Sequence, residues 1–189
     1  RDNEKGEYVV TDDRKGTVPI YDPRFQTIFP RMWSSQKSSH VELYKQFGKV
    51  EGIPVNITRP DGSTEVRYKP TFIENLRFFF SYQIDHMYVR YFLWNFVGRQ
   101  NNIESQGEPD HGNWISGIDF IDSMRIGTQK DLPESMQNPA HNKFYFLPLI
   151  LGLIGFFFHF KKAKKDTLVV ALLFLMTGIA IVIYLNQYP

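Results

Sequence analysis

The sequence predicts an α+β membrane protein fragment, and three features of the 189 residues predict it. Residues 144–160 (FYFLPLILGLIGFFFHF) and 167–185 (TLVVALLFLMTGIAIVIYL) carry no Asp, Glu, Lys or Arg and flank the lysine-rich KKAKKD. Upstream, VNIT-RPDGST-EVRY alternates like a β-hairpin, and an aromatic run starting near Thr71 follows it. A spanning helix needs roughly 20 mainly apolar residues. The second run meets that length, and the first does so if Asn142 and Lys143 reach the headgroups. Two readings follow: a transmembrane helical hairpin, or a buried hairpin within a soluble core.

The elements are expected in this order. Residues 1–70 form an external region of strands and turns. Within it, Asp61-Gly62 after Pro60 supplies turn chemistry, and Val55 and Ile57 with Val66 and Tyr68 suggest one buried face. YDPRFQTIFPRMWSS is broken by its prolines into a packed, irregular loop. Residues 71–99 are expected as an aromatic interfacial helix, with Thr71 and Glu74 at capping-box spacing and Gly98 as its C-cap. Arg77, Asp85, His86 and Arg90 make this helix costly to submerge, so it is expected in the headgroup layer or over the outer mouth of a bundle. Residues 100–143 form an external loop region with one short helix in WISGIDFIDSMRIG. Residues 144–185 form the hairpin, with spans 144–160 and 167–185 and a cytoplasmic loop 161–166.

Short Lys-rich loops stay cytoplasmic, which puts residues 1–143 on the outer side. No apolar export segment precedes that outer region. The expectation is therefore an internal fragment, with N-terminal and C-terminal parts of a parent chain missing. Without the KKAKKD loop, 18 basic residues face 19 acidic ones; from 22 and 20 the loop takes four and one. That balance argues against a nucleic-acid partner. The absence of cysteine removes disulfides and thiol chemistry.

Candidate chemistry is sparse. Arg90 and Arg99 beside Trp94 suit phosphate oxygens at a membrane surface, or equally lipid-headgroup anchoring. Adjacent Asp85 and His86 could form an acid–base pair, or could face water or pair with Arg77 and Arg90. Asp110, His111, His40 and Asp119 match no metal-ligand spacing, so no metal site is assigned. The cofactor is unknown: a divalent metal is left open, and no motif supports it. No catalytic residue is identified.

Several long stretches carry a resemblance: YDPRFQTIFPRMWSS, YKPTFIENLRFFFSYQ, MYVRYFLWNFVGRQN, GNWISGIDFID and MTGIAIVIYLNQYP. From about Val18 to Pro189 they resemble domain-of-unknown-function family 2723. Its members are bacterial multi-span membrane proteins that look like GT-C glycosyltransferases of the protein O-mannosyltransferase kind. The resemblance implies a multi-pass inner-membrane enzyme, with residues 1–143 periplasmic. Its partners would be the lipid bilayer, a polyprenyl-phosphate-linked sugar donor and an exported acceptor protein. The acids thought to be catalytic in GT-C enzymes lie in a first external loop that no position here matches, so this part is expected to be inactive alone. The resemblance makes Arg90, Arg99 and Trp94 the donor-phosphate candidates. The alternative is a non-catalytic, membrane-anchored interaction module with an external aromatic surface.

Overall fold

The computed structural model of the chain describes residues 21–34, 37–59, 61–105, 108–130, 132–133 and 138–189. The expectations for residues 1–20 and for Pro60 in the hairpin turn lie outside the described residues. What is described is an α+β arrangement in which one small β-hairpin accompanies several helices. After a single turn of 3-10 helix at Pro23–Phe25, residues 26–34 run without regular structure around Pro30.

Helix α1 (Ser39–Gly48) departs from the strands and turns expected across residues 1–70. Its buried residues His40, Tyr44 and Gly48 recur every four positions, the spacing of one helix face. Lys49 closes it in the left-handed region with φ of 48°.

Strands β1 (Ile53–Thr58) and β2 (Thr64–Lys69) pair antiparallel around the expected turn. The single buried face does not form. The register sets Val55 against Arg67 and Ile57 against Glu65, while Val66 meets Asn56 and Tyr68 meets Pro54. Because side chains alternate, the two apolar pairs fall on opposite faces, and Val66 and Tyr68 are 51 % and 63 % exposed.

The aromatic helix begins as α2 (Phe72–Phe78) under the expected capping box. Glu74 accepts from the Thr71 N–H at 2.6 Å, and the Thr71 hydroxyl accepts from the Glu74 N–H at 3.2 Å. The same carboxylate also receives the N–H groups of Glu51 and Gly52, at 2.7 and 3.0 Å. One side chain thus ties the helix start to the hairpin. The helix widens into a π-helical segment (Phe79–Val89) before α3 (Arg90–Phe96). Tyr44, Phe78 and Tyr82 form the apolar core, with Met32, Phe47 and Met87 packed against it.

Gly98 does not cap the helix, which ends at Phe96 with Val97 as its C-cap. It opens β3 (Gly98–Arg99), which pairs with β4 (Asn142–Lys143). Its φ is 148°, and a Cβ there would lie 2.6 Å from the carbonyl oxygens of both Asn142 and Ile115. Only glycine fits so close a backbone approach. Between these strands the expected short helix forms as α4 (Asp119–Ile126).

The apolar runs become α5 (Leu147–Lys162), α6 (Lys164–Thr177) and α7 (Ile179–Leu185). Two boundaries move. Tyr145 and Phe146 take positive φ of 52° and 61°, so the first helix starts at Leu147 rather than 144. Lys161 and Lys162 end α5 while Lys164 begins α6, leaving Ala163 alone between them instead of a loop over 161–166. Lys164–Leu185 spans 22 residues and holds an 18-residue stretch of mean hydropathy 2.8, long and apolar enough to cross a membrane.

This final helix lies antiparallel to the aromatic one. Phe174 meets Phe92 at 5.8 Å, and the space beside Gly178 is filled by the Tyr88 ring. Asn186 accepts from Gln83 at 2.8 Å, and the Tyr82 hydroxyl donates to the Tyr188 carbonyl at 3.2 Å.

Candidate functional site

Two places gather chemistry. The first surrounds α3. Four-residue spacing puts His86, Arg90 and Trp94 along one helix face. Arg99, just past the turn, folds back so that its guanidinium carbon lies 4.2 Å from the Trp94 ring centre. Most of this group's hydrogen bonds go to the following loop. Arg90 donates through Nε to the His86 carbonyl at 2.8 Å and through Nη1 to the Gly112 carbonyl at 2.5 Å. Trp94 Nε1 donates to the Asn101 carbonyl at 3.0 Å. His86 Nε2 lies 3.0 Å from the Ser105 carbonyl, which makes it the protonated nitrogen. The pattern is a clamp on the 99–116 loop.

Electrostatics agree with that pattern. Burial pushes His86 below its ordinary range, and the Arg90 charge pushes it the same way, so the ring is neutral near pH 7. Burial also lowers Arg90. Asp85 is exposed while His86 is half-buried. The remaining sequence candidates scatter. His111 contacts Asp110 at 2.9 Å, His40 lies 2.7 Å from the Ser34 hydroxyl, and Asp119 pairs with Lys130. Among the described residues, no group of three or more His, Cys, Asp or Glu side chains could hold a metal ion.

The loop that the clamp holds has a polar interior. Gln100, Asn101, Asn113, Ser116 and Asp122 are all buried. Asn113 donates to the carbonyls of Glu108 and His111 at 2.7 and 3.0 Å. Asp122 accepts from the Ser116 N–H at 2.7 Å, the Ser116 hydroxyl at 2.9 Å and the Gly117 N–H at 2.9 Å.

The second place is a cleft of about 730 Å3 beside the C-terminal end of α7, which the sequence did not reveal. Tyr21, Phe25, Trp33, Gln26, Asn75 and Asn186 are among its lining residues. The Tyr21 and Trp33 rings meet edge to face at 6.0 Å and are 48 % and 55 % exposed. Asn75 holds the irregular segment in place, accepting from the Arg31 N–H at 2.9 Å and donating to the Thr71 carbonyl at 2.9 Å. Arg31 donates to the Ile183 carbonyl at 2.8 Å and lies over the Phe29 ring, 4.4 Å from its centre. The signal was present in the prolines and aromatic residues of YDPRFQTIFPRMWSS, but no spacing rule converts those into a cleft.

Residues 1–80 match a family of unknown function (DUF8416). The chain matches no curated protein and no solved structure.

Proposed function

We propose that this chain is the external module and adjoining spans of a bacterial multi-pass inner-membrane glycosyltransferase. In this reading the parent uses a polyprenyl-phosphate-linked sugar to modify an exported acceptor protein. One observation carries the membrane part. Residues 147–162 are exposed at every position except the half-buried Leu149, with Leu151 at 66 % and Phe158 at 64 %, and Leu173 on α6 is 62 % exposed. Apolar surface this continuous needs lipid or other spans around it. Lys161, Lys162, Lys164 and Lys165 then mark the cytoplasmic turn, and the module of residues 21–143 lies outside.

The transferase part rests on the resemblance to family 2723. Arg99 supplies the better phosphate candidate, since its guanidinium lies over the Trp94 ring, whereas Arg90 is engaged with backbone carbonyls. A second reading, a docking module for other proteins, draws support from Phe120 and Met124 on α4, both 74 % exposed.

Topology is tested by single cysteines, because the chain has none of its own. Ser63→Cys is expected to react with an impermeant maleimide in intact cells, and Lys164→Cys only after lysis. Labelling of residue 164 from outside overturns the orientation. Arg99→Ala in the full-length parent is expected to weaken binding of the lipid-phosphate donor. Unchanged affinity removes Arg99 from the site.

A further inference from the structure

We infer that the cleft between Tyr21, Trp33 and Asn186 is a binding site for a neutral sugar ring. The inference follows from which chemistries its walls accept. Among the described residues, Asp22 is the one charged group lining it. That carboxylate is already paired with Arg24, whose Nε lies 3.0 Å from Oδ2 and whose Nη1 donates to the Asn56 carbonyl at 2.7 Å. The nearby Lys69 amine is also occupied, donating to the carbonyls of Arg24 and Gln26 at 2.8 and 2.9 Å. Arg31 is directed away, onto the Ile183 carbonyl. An anion would find no uncommitted cation here, and a cation no uncommitted carboxylate. The ligand is therefore neutral.

Apolar lining with a few fixed polar groups defines small-molecule sites of roughly 300–1,000 Å3. Here the apolar part is largely aromatic and the polar part largely amide. Half-exposed Tyr21 and Trp33 present ring surface that the fold leaves uncovered. Gln26, Asn75 and Asn186 bring amide groups to the same space, with Gln26 Nε2 on the Tyr21 carbonyl, Asn75 held between Arg31 and Thr71 and Asn186 Oδ1 on Gln83, and the buried Thr27 hydroxyl at the wall has no hydrogen-bond partner. A pyranose ring has the matching character, with C–H groups on its faces and hydroxyls at its edge. An acyl chain would satisfy the rings and leave the Thr27 hydroxyl without a partner, which is costly once water is expelled. The site rests on the cleft alone and stands whether or not Arg99 contacts a donor phosphate.

The test uses the full chain in nanodiscs of plain phosphatidylcholine, since sugar-headed detergents would compete. Methyl glucoside, methyl mannoside, methyl galactoside and maltotriose are titrated by saturation-transfer NMR, beside octyl glucoside below its micelle concentration, octanol and inorganic phosphate. Saturable binding of at least one soluble glycoside, or of octyl glucoside without octanol, is the expected result. The first outcome marks a soluble glycan and the second a lipid-linked sugar. Trp33→Ala is expected to weaken that binding about tenfold or more, as truncation of a central aromatic anchor does. Gln26→Leu provides a second variant that removes a polar group and keeps the rings. Binding of octanol or phosphate alone, no binding of any sugar, or undiminished binding in both variants overturns the inference.

Discussion

The module of residues 21–143 and the final helices handle burial in opposite ways. In the module, fully or nearly buried positions include Gln83, Gln100, Asn101, Ser116 and Asp122, each hydrogen-bonded, while Val66, Tyr68, Phe120 and Met124 face outward. In α5 and α6 apolar side chains cover the outside and almost nothing is enclosed; Thr167 is an exception, its hydroxyl held by the Ala163 carbonyl at 3.0 Å. A buried polar group is tolerated when its partners are built in. An exposed apolar helix is tolerated when its solvent is not water. The contrast is between a polar interior in one region and an apolar exterior in the other.

A charge placed on the apolar side probes this contrast most strongly. Leu173→Arg lies near the middle of Lys164–Leu185. In a bilayer it is expected to cost about 2.5–3.5 kcal/mol of insertion. On a water-facing surface the same change stays within about 0.5 kcal/mol. Membrane flotation of wild type and variant separates the two, and equal flotation breaks the comparison.

Removing a polar anchor from the module comes next. Asp122→Ala leaves two buried donors of Ser116 and the part-buried Gly117 N–H without their acceptor, an expected loss of about 3 kcal/mol. A lowered urea midpoint at constant slope would show it. An unchanged midpoint would mean that the polar interior does not hold the module together.

Glu74 gives the smallest effect and a pH signature. Burial works against its ionisation, but the Gly52, Thr71 and Glu51 N–H groups and the Thr71 hydroxyl outweigh that and lower it from 4.5 to about 2. The folded state therefore binds its proton less readily than the unfolded chain. Its stabilisation is complete above about pH 4.5 and is lost as pH falls toward about 2. Glu74→Gln is expected to lower stability by about 1–2 kcal/mol at pH 7 and to flatten the acid limb of a melting-temperature profile. Parallel profiles for the two proteins would refute this.

Legibility in the sequence follows the range of the interaction. The Thr71–Glu74 box and the turn at Asp61-Gly62 are local, and both form as expected. The apolar runs are read by composition and become helices. The hairpin register failed because Val55 and Val66 obey the same alternation whichever way the strands pair, and only the pairing decides their faces. Helix α1 was hidden because His40 marks its buried face where an apolar residue would have announced it. The amide network around Gln100 and Asn113 joins residues without any periodicity, so no pattern betrays it. Arg90 was read as a ligand-facing cation, yet it donates to the His86 carbonyl one turn back and to the Gly112 carbonyl of a loop 22 residues away in the chain.

The junction at Ile183, Asn186 and Tyr188 also orders the assembly in time. Arg31 reaches Ile183 across 152 positions, and Tyr82 reaches Tyr188 across 106. Chains are made from the N-terminus, so the module's residues emerge well before the partners that complete it. Loop closure over such spans adds only about 0.6 kcal/mol per doubling of length, so the delay is kinetic rather than energetic. The module works as a lock whose bolt arrives last. Until α7 is in place, the stacked ring over His40 is missing and the Asn186 wall of the cleft does not exist. Any ligand of that cleft therefore meets only chains whose final helix has been delivered.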